Sequence, residues 1–147
     1  MTEGRQFGVY VHVPFCRERC DYCAFVTFVD RDHLMEAYAS ACVAEITRAR
    51  REEGIPTATS VYFGGGTPSR LPLHCLLGVL DAIPRIHDAE VTVECNPEDA
   101  RPGRLAAYRK GGVTRISLGV QSTVGHVLAG LGRRHGGREG LEAAVAG

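Results

Sequence analysis

The chain has 147 residues, of which 44% are hydrophobic, and its 17 basic side chains balance 17 acidic ones. This length and apolar content suit one folded domain and exclude a disordered tail, while the neutral balance argues against a nucleic-acid-binding surface. No apolar run approaches the length of a membrane span, and the first residues lack the charged-then-apolar pattern of a signal peptide. We therefore expect a cytoplasmic protein with reduced thiols, no nucleic-acid partner and no membrane span.

Alternating strand and helix patterns organise the first half of the chain. Val9–Val13 predicts a β-strand, and Arg31–Glu53 predicts the amphipathic helix that follows it. Ser60–Phe63 predicts the second strand. A second helix is predicted to begin with Pro72 at its first position and to end before Pro84.

The second half continues the alternation. Its predicted elements are, in chain order, the strand Glu90–Glu94, the helix Pro102–Lys110, the strand Thr114–Val120, the helix Ser122–Gly130 and a last helix from about Arg138. Four cycles of strand and helix are typical of βα units and predict an α/β fold with a parallel sheet.

Within each predicted strand, apolar and polar residues alternate, which places the two sets on opposite faces of the sheet. The first strand shows the pattern, since Val9, Val11 and Val13 alternate with Tyr10 and His12. We expect the helices to cover the apolar face and a ligand or a wet lumen to lie against the polar one. An ordinary solvent-exposed face is the alternative.

Distinctive residues stand at the carboxyl end of every predicted strand. The cysteine-rich segment Cys16–Cys23 follows the first strand and Gly64–Thr67 follows the second, while the third ends at Glu94 and the fourth at Gln121. Parallel α/β proteins bind ligands at the carboxyl ends of their strands. We therefore expect these four segments to share one site.

The cysteines fall into a crowded set and an isolated set. Cys16, Cys20 and Cys23 form a C-x3-C-x2-C motif, and three thiolates in a tight loop can bind three irons of a four-iron cluster while the fourth stays open. Structural zinc is the alternative, with His12 or His33 as the fourth ligand. The isolated cysteines lie on predicted apolar faces, where we expect burial: Cys42, Cys75 and Cys95.

The glycine run and the polar strand ends indicate a small polar ligand. Gly64–Thr67 lets a backbone approach a ligand closely, although a plain tight turn is the simpler explanation. Glu94 could accept hydrogen bonds from ribose hydroxyls or pair with an ammonium group. A solvated strand end is the alternative for Glu94 and for Gln121. His12, on the polar face, is either a cofactor or haem contact or a structural histidine.

Five motifs carry a family resemblance: YVHVPFCRERCDYCAF, YFGGGTPS, ECNPE, RISLGVQS and LGRRH. In this order and spacing they resemble the radical S-adenosylmethionine (SAM) superfamily, and within it the HemN/HemW branch of oxygen-independent coproporphyrinogen III oxidases and haem-chaperone relatives. The resemblance implies the N-terminal part, about four βα units, of a partial (β/α)6 TIM-type barrel. Residues 1–147 would then be an incomplete radical SAM core domain, truncated after Gly147.

The resemblance also implies roles for individual residues. Cys16, Cys20 and Cys23 would ligate a 4Fe–4S cluster, whose open iron SAM would chelate. Contacts to SAM would come from eight further residues: Tyr10, Tyr22, Gly65, Gly66, Thr67, Glu94, Gln121 and Arg133. It assigns no catalytic residue, and we do not expect His135 to bind haem.

Two features favour a haem chaperone over an oxidase. Family oxidases carry a further cysteine two residues after the third ligand, where this chain has Phe25, and they carry a longer segment before the motif than the 15 residues that precede Cys16. The resemblance therefore implies a HemW-like chaperone that binds haem as cargo and passes it to an acceptor protein. The alternatives are a coproporphyrinogen III oxidase of porphyrin biosynthesis and a non-functional truncated product.

Overall fold

A four-stranded parallel sheet is the centre of the fold. The computed structural model describes residues 6–133 and 137–146, so His135 lies outside the described residues. The sheet order follows the chain, and every neighbouring pair is parallel. Its strands are β1 (Gly8–Val13), β2 (Ala58–Gly65), β3 (Arg85–Cys95) and β4 (Arg115–Leu118). The predicted α/β class with a parallel sheet is confirmed.

Helices connect the strands and follow the last one. They are α1 (Met35–Glu52), α2 (Leu73–Ala82), α3 (Pro102–Lys110), α4 (Gly125–Gly130) and α5 (Gly137–Ala146). Three short 3₁₀ turns precede α1, α2 and α3 in turn: Asp32–Leu34, Pro68–Arg70 and Pro97–Asp99. Among the described residues, no helix is both long and apolar enough to cross a membrane.

The helices cover the apolar face of the sheet, as the alternation predicts. The core combines alternate strand residues with helix residues that are all nearly inaccessible: Val13, Val61, Phe63, Val91, Val93, Leu76, Val79, Leu80 and Tyr108. Thr92 is an exception, since it is only 1% exposed although it belongs to the polar set. In the strand register it lies between Tyr62 and Arg115, whose large side chains flank it.

Several element bounds differ from the predicted ones. β3 begins at Arg85, earlier than the predicted Glu90, because Arg85 pairs with Ala58 across an irregular register. α4 begins later than Ser122, whose Oγ instead accepts a hydrogen bond from Val124 N at 3.1 Å. β4 ends at Leu118, short of the predicted Val120, and α2 starts just after Pro72. α3 has the predicted bounds.

The isolated cysteines lie in or beside the core. Cys75 and Cys95 are buried, and Cys42 is half-buried against the main cluster. Burial raises the pKa of the Cys95 thiol to about 11, so this thiol keeps its proton at neutral pH.

The end of β2 lies directly against the segment that follows β1. Gly66 N donates to Val13 O at 2.8 Å, and Thr67 N donates to Phe15 O at 2.8 Å. A Cβ atom at Gly66 would lie 2.9 Å from Val13 O and 2.8 Å from Phe15 O. Only glycine permits this approach without displacing backbone.

We predict opposite effects for two glycine-to-alanine changes. Gly66→Ala should lower the free energy of unfolding by about 1–3 kcal/mol, because the new methyl group overlaps backbone oxygens that cannot rotate away. Gly78→Ala, in the exposed face of α2 with nothing within 4 Å of the new carbon, should raise it by up to about 1 kcal/mol. Urea denaturation of both variants measures the difference, and equal midpoints would contradict the prediction.

Candidate functional site

The carboxyl ends of the strands border a cavity of about 640 Å³. Ten of the eleven site residues predicted from the sequence line it: Cys16, Cys20, Tyr22, Cys23, Gly65, Gly66, Thr67, Glu94, Gln121 and Arg133. The eleventh, Tyr10, lies on the polar face of β1 and is 55% exposed. The four segments that follow the strands therefore form one site, as their position on one sheet edge predicts.

The cysteine segment is a loop closed at its base. Phe15 forms an isolated parallel bridge with Phe28. Cys16 N donates to Phe28 O at 3.0 Å, and Phe28 N donates to Pro14 O at 2.7 Å. Within the loop, Cys23 N donates to the carbonyl of Cys20 at 3.0 Å, which makes a tight turn. These bonds hold the three-cysteine motif against one wall of the cavity.

The donor chemistry of the loop fits a four-iron cluster. Cys16, Cys20 and Cys23 are free thiols that border the same cavity. Over residues 6–133 and 137–146, no three His, Cys, Asp or Glu side chains are placed to hold one metal ion together. A four-iron cluster with one open iron needs three thiolates, each on its own iron, and the three cysteines at this cavity supply that donor set.

Neither histidine suggested for the zinc alternative reaches the cysteines. His12 Nε2 lies 2.8 Å from Val26 O, and its Nδ1 lies 3.2 Å from the Tyr10 hydroxyl, so both ring nitrogens are engaged elsewhere. His33 is exposed in the 3₁₀ turn before α1 and does not line the cavity. A zinc site built on either histidine therefore lacks its fourth ligand. The two partners of His12 are those that the structural alternative requires.

Glu94 is a fixed wall of the cavity and not a solvated strand end. Its Oε1 accepts a hydrogen bond from the Tyr62 hydroxyl at 2.8 Å. Its Oε2 accepts one from Gly65 N at 3.2 Å, and Gly65 adopts a φ of +110°. Each carboxylate oxygen keeps a further lone pair for a donor in the cavity.

Arg133 joins three separate segments across the cavity. Its Nε donates to the Tyr22 hydroxyl at 3.2 Å, its Nη1 to Asn96 Oδ1 at 3.1 Å and its Nη2 to Gly119 O at 3.4 Å. Burial raises the pKa of Tyr22, and Arg133 opposes that shift. Asn96 was not among the predicted site residues, although its place directly after β3 and within the ECNPE motif is a signal for it.

Gln121 and Thr67 complete the wall near the strand ends. Gln121 has a φ of +61°, an unusual value for a residue with a side chain, and it lines the cavity just after β4. Thr67 is only 7% exposed, and its Oγ1 lies 3.9 Å from Cys16 Sγ. The glycine run thus places a hydroxyl beside the first cysteine of the motif.

Comparison with known proteins relates this geometry to a family. The model of the radical SAM superfamily matches residues 10–145. Heme chaperone HemW of Mycobacterium tuberculosis is 44% identical over 140 residues, which are 90% of this chain and 36% of that protein. "Radical S-adenosyl methionine domain-containing protein 1, mitochondrial" of Bos taurus is 40% identical over 139 residues, which are 92% and 31% of the two chains.

A solved structure shares the fold. Coproporphyrinogen III oxidase (HemN) of Escherichia coli, described as a radical SAM enzyme, superposes with a TM-score of 0.85 at 27% identity over 97% of this chain and 34% of that one. The parallel sheet matches the N-terminal part of the HemN-like barrel. The chain spans about a third of the length of these relatives. By its sequence match from residue 10 to residue 145 and by this fold, the chain belongs to the radical SAM superfamily.

Proposed function

We propose that the chain is part of a HemW-type haem chaperone, which binds a 4Fe–4S cluster and SAM and passes haem to an acceptor protein. The observation that carries this proposal is the 44% identity to a heme chaperone HemW over 90% of the chain. Phe25, at the position where family oxidases have a further cysteine, supports it. Residues 1–147 would supply the N-terminal part of the radical SAM core domain.

In this proposal the cysteine loop holds the cluster. Cys16, Cys20 and Cys23 would each bind one iron, and the fourth iron would stay open for SAM. A reduced cluster with SAM bound would supply the electron for reductive cleavage of a carbon–sulfur bond of SAM. The closed base of the loop, at the bridge between Phe15 and Phe28, would keep the thiols in place.

The remaining cavity residues would bind and orient SAM. Gly65 and Gly66 would let the ligand approach the backbone closely, Glu94 offers fixed acceptors, and Arg133 donates to the Tyr22 hydroxyl of the cysteine loop. Tyr10, Thr67 and Gln121 are the further contacts that the family pattern supplies. The part of the protein chain is to orient SAM and to shield it from water.

The coproporphyrinogen III oxidase is the second candidate, because the fold matches that of HemN with a TM-score of 0.85. Both candidates would use the same cluster and SAM site, so the cavity alone does not separate them. The two candidates differ in the molecule that they act on, since the oxidase converts a porphyrinogen and the chaperone retains haem. The third candidate, a truncated product with a vestigial site, would bind neither SAM nor haem.

We predict that the three motif cysteines, and not the isolated ones, bind iron. After anaerobic reconstitution with iron and sulfide, Cys16→Ala, Cys20→Ala and Cys23→Ala should each lower the bound iron by about tenfold or more, because a cluster that loses a ligand dissociates. Iron analysis and the charge-transfer absorbance of the cluster measure this. Cys42→Ala is the matched control, half-buried on α1 away from the cavity. Unchanged iron in the three motif variants would disprove the cluster assignment.

We predict that the chain binds haem saturably and leaves coproporphyrinogen III unconverted. Haem titration followed by Soret absorbance, and product analysis after anaerobic incubation with SAM and a reductant, measure the two properties on one reconstituted sample. Turnover of coproporphyrinogen without haem binding would replace the first candidate with the second. Failure to bind SAM or haem, together with the loss of a cooperative unfolding transition, would favour the third.

A further inference from the structure

Tyr62 lies at the centre of the polar face and contacts two residues proposed to bind SAM. Its ring stacks on the ring of Tyr10 with a centroid separation of 6.1 Å and an interplanar angle of 24°. Its hydroxyl donates to Glu94 Oε1 at 2.8 Å. Because Tyr10 is on β1 and Glu94 is on β3, Tyr62 of β2 links the two flanking strands through side chains.

The backbone beside Tyr62 is shaped to keep the two rings in place. A Cβ atom at Gly64 would lie 2.8 Å from Tyr62 Cε1 and 3.0 Å from Tyr10 Cε2. Both rings therefore lie close to the β2 backbone at Gly64, two residues after Tyr62. A larger residue at Gly64 would displace them, so the local sequence itself fixes the ring positions.

The hydrogen bond from Tyr62 orients the Glu94 carboxylate, so that its free lone pairs point in one direction. Burial and the neighbouring Glu94 raise the pKa of Tyr62, and Ser117 and Arg115 oppose the shift. The hydroxyl therefore stays protonated and able to donate. With Gly65 N on the other oxygen at 3.2 Å, the carboxylate has one protein donor on each oxygen and its plane is fixed.

We propose that Tyr62 is a positioning residue of the SAM site: its hydroxyl fixes the Glu94 carboxylate, and its ring packs against the ring of Tyr10 on the neighbouring strand. The proposal rests on the proposed function, which makes Glu94 and Tyr10 contacts to SAM. Tyr62 itself does not line the cavity and acts through these two side chains.

The first test removes only the hydroxyl. On the anaerobically reconstituted chain, Tyr62→Phe should weaken SAM binding about tenfold, the effect of losing one hydrogen bond to a charged group, with bound iron unchanged. Equilibrium dialysis with labelled SAM measures the affinity. Tyr108→Phe is the matched control: Tyr108 is on α3, its hydroxyl lies 3.4 Å from Arg104 Nη1, and its side chain packs in the main core on the apolar face of the sheet, opposite to the face of Tyr10, Tyr62 and Glu94. It should leave the affinity within about twofold of wild type.

A second test separates positioning from general support of the fold. Glu94→Gln should weaken SAM binding less in the Tyr62→Phe background than in wild type, because the two residues act as one unit. Tyr62→Leu should weaken it more than Tyr62→Phe, because the support of Tyr10 is lost as well. Additive losses, or a loss of affinity that simply follows the melting temperature of the cluster-free chain, would overturn the proposal.

The outcomes also separate this proposal from the one on which it rests. If wild type does not bind SAM, the proposed function fails and Tyr62 has no ligand site to position, so both proposals are overturned. If wild type binds SAM and Tyr62→Phe binds it equally well, only the role of Tyr62 is overturned.

Discussion

Two backbone hydrogen bonds fix the glycine run against the end of β1 and the start of the cysteine loop, and the site depends on this contact. Gly66 N to Val13 O and Thr67 N to Phe15 O, both 2.8 Å, join the end of β2 to the start of the cysteine loop. Because backbone meets backbone with no side chain between them, the two loops cannot slide independently. The cysteines, the Thr67 hydroxyl and the Gly65 amide are therefore placed relative to one another by the sheet itself.

The second organising feature is a parallel sheet with one polar face. Parallel sheets are normally covered by apolar contacts on both faces, whereas here the helices cover one face and the other presents Tyr10, Tyr62 and Glu94. Half-buried polar groups need hydrogen-bond partners. Glu94 accepts from the Tyr62 hydroxyl and from the Gly65 amide, and the more exposed Tyr10 hydroxyl bonds to His12 Nδ1. Glu94 thus has a protein donor on each oxygen, and such preorganisation would reduce the entropy cost of binding the proposed ligand.

Local signals predicted most of the fold, and long-range pairing explains what they missed. The bounds of α3 were predictable because Pro102 and Gly111 mark its ends. The start of β3 was not, because residues 85–88 are mostly polar and become a strand only by pairing with β2. The rule that parallel α/β proteins bind ligands at the carboxyl ends of their strands predicted which residues border the cavity. The contact between Arg133 and Asn96, 37 positions apart, depends on how β3 meets the segment after α4, which no local pattern encodes. The ligand roles of the cysteines and of the SAM contacts stay predictions.

The buried thiol of Cys95 bears on the number of ligands that a cluster could acquire here. Cys95 also borders the cavity, so four sulfur atoms surround the same space. Its sulfur is only slightly accessible, donates to the carbonyl of Asn96 at 3.3 Å and has a pKa of about 11. To become a fourth ligand, Cys95 would have to give up this bond and its place in the core, whereas the three cysteines of the loop are only half-buried.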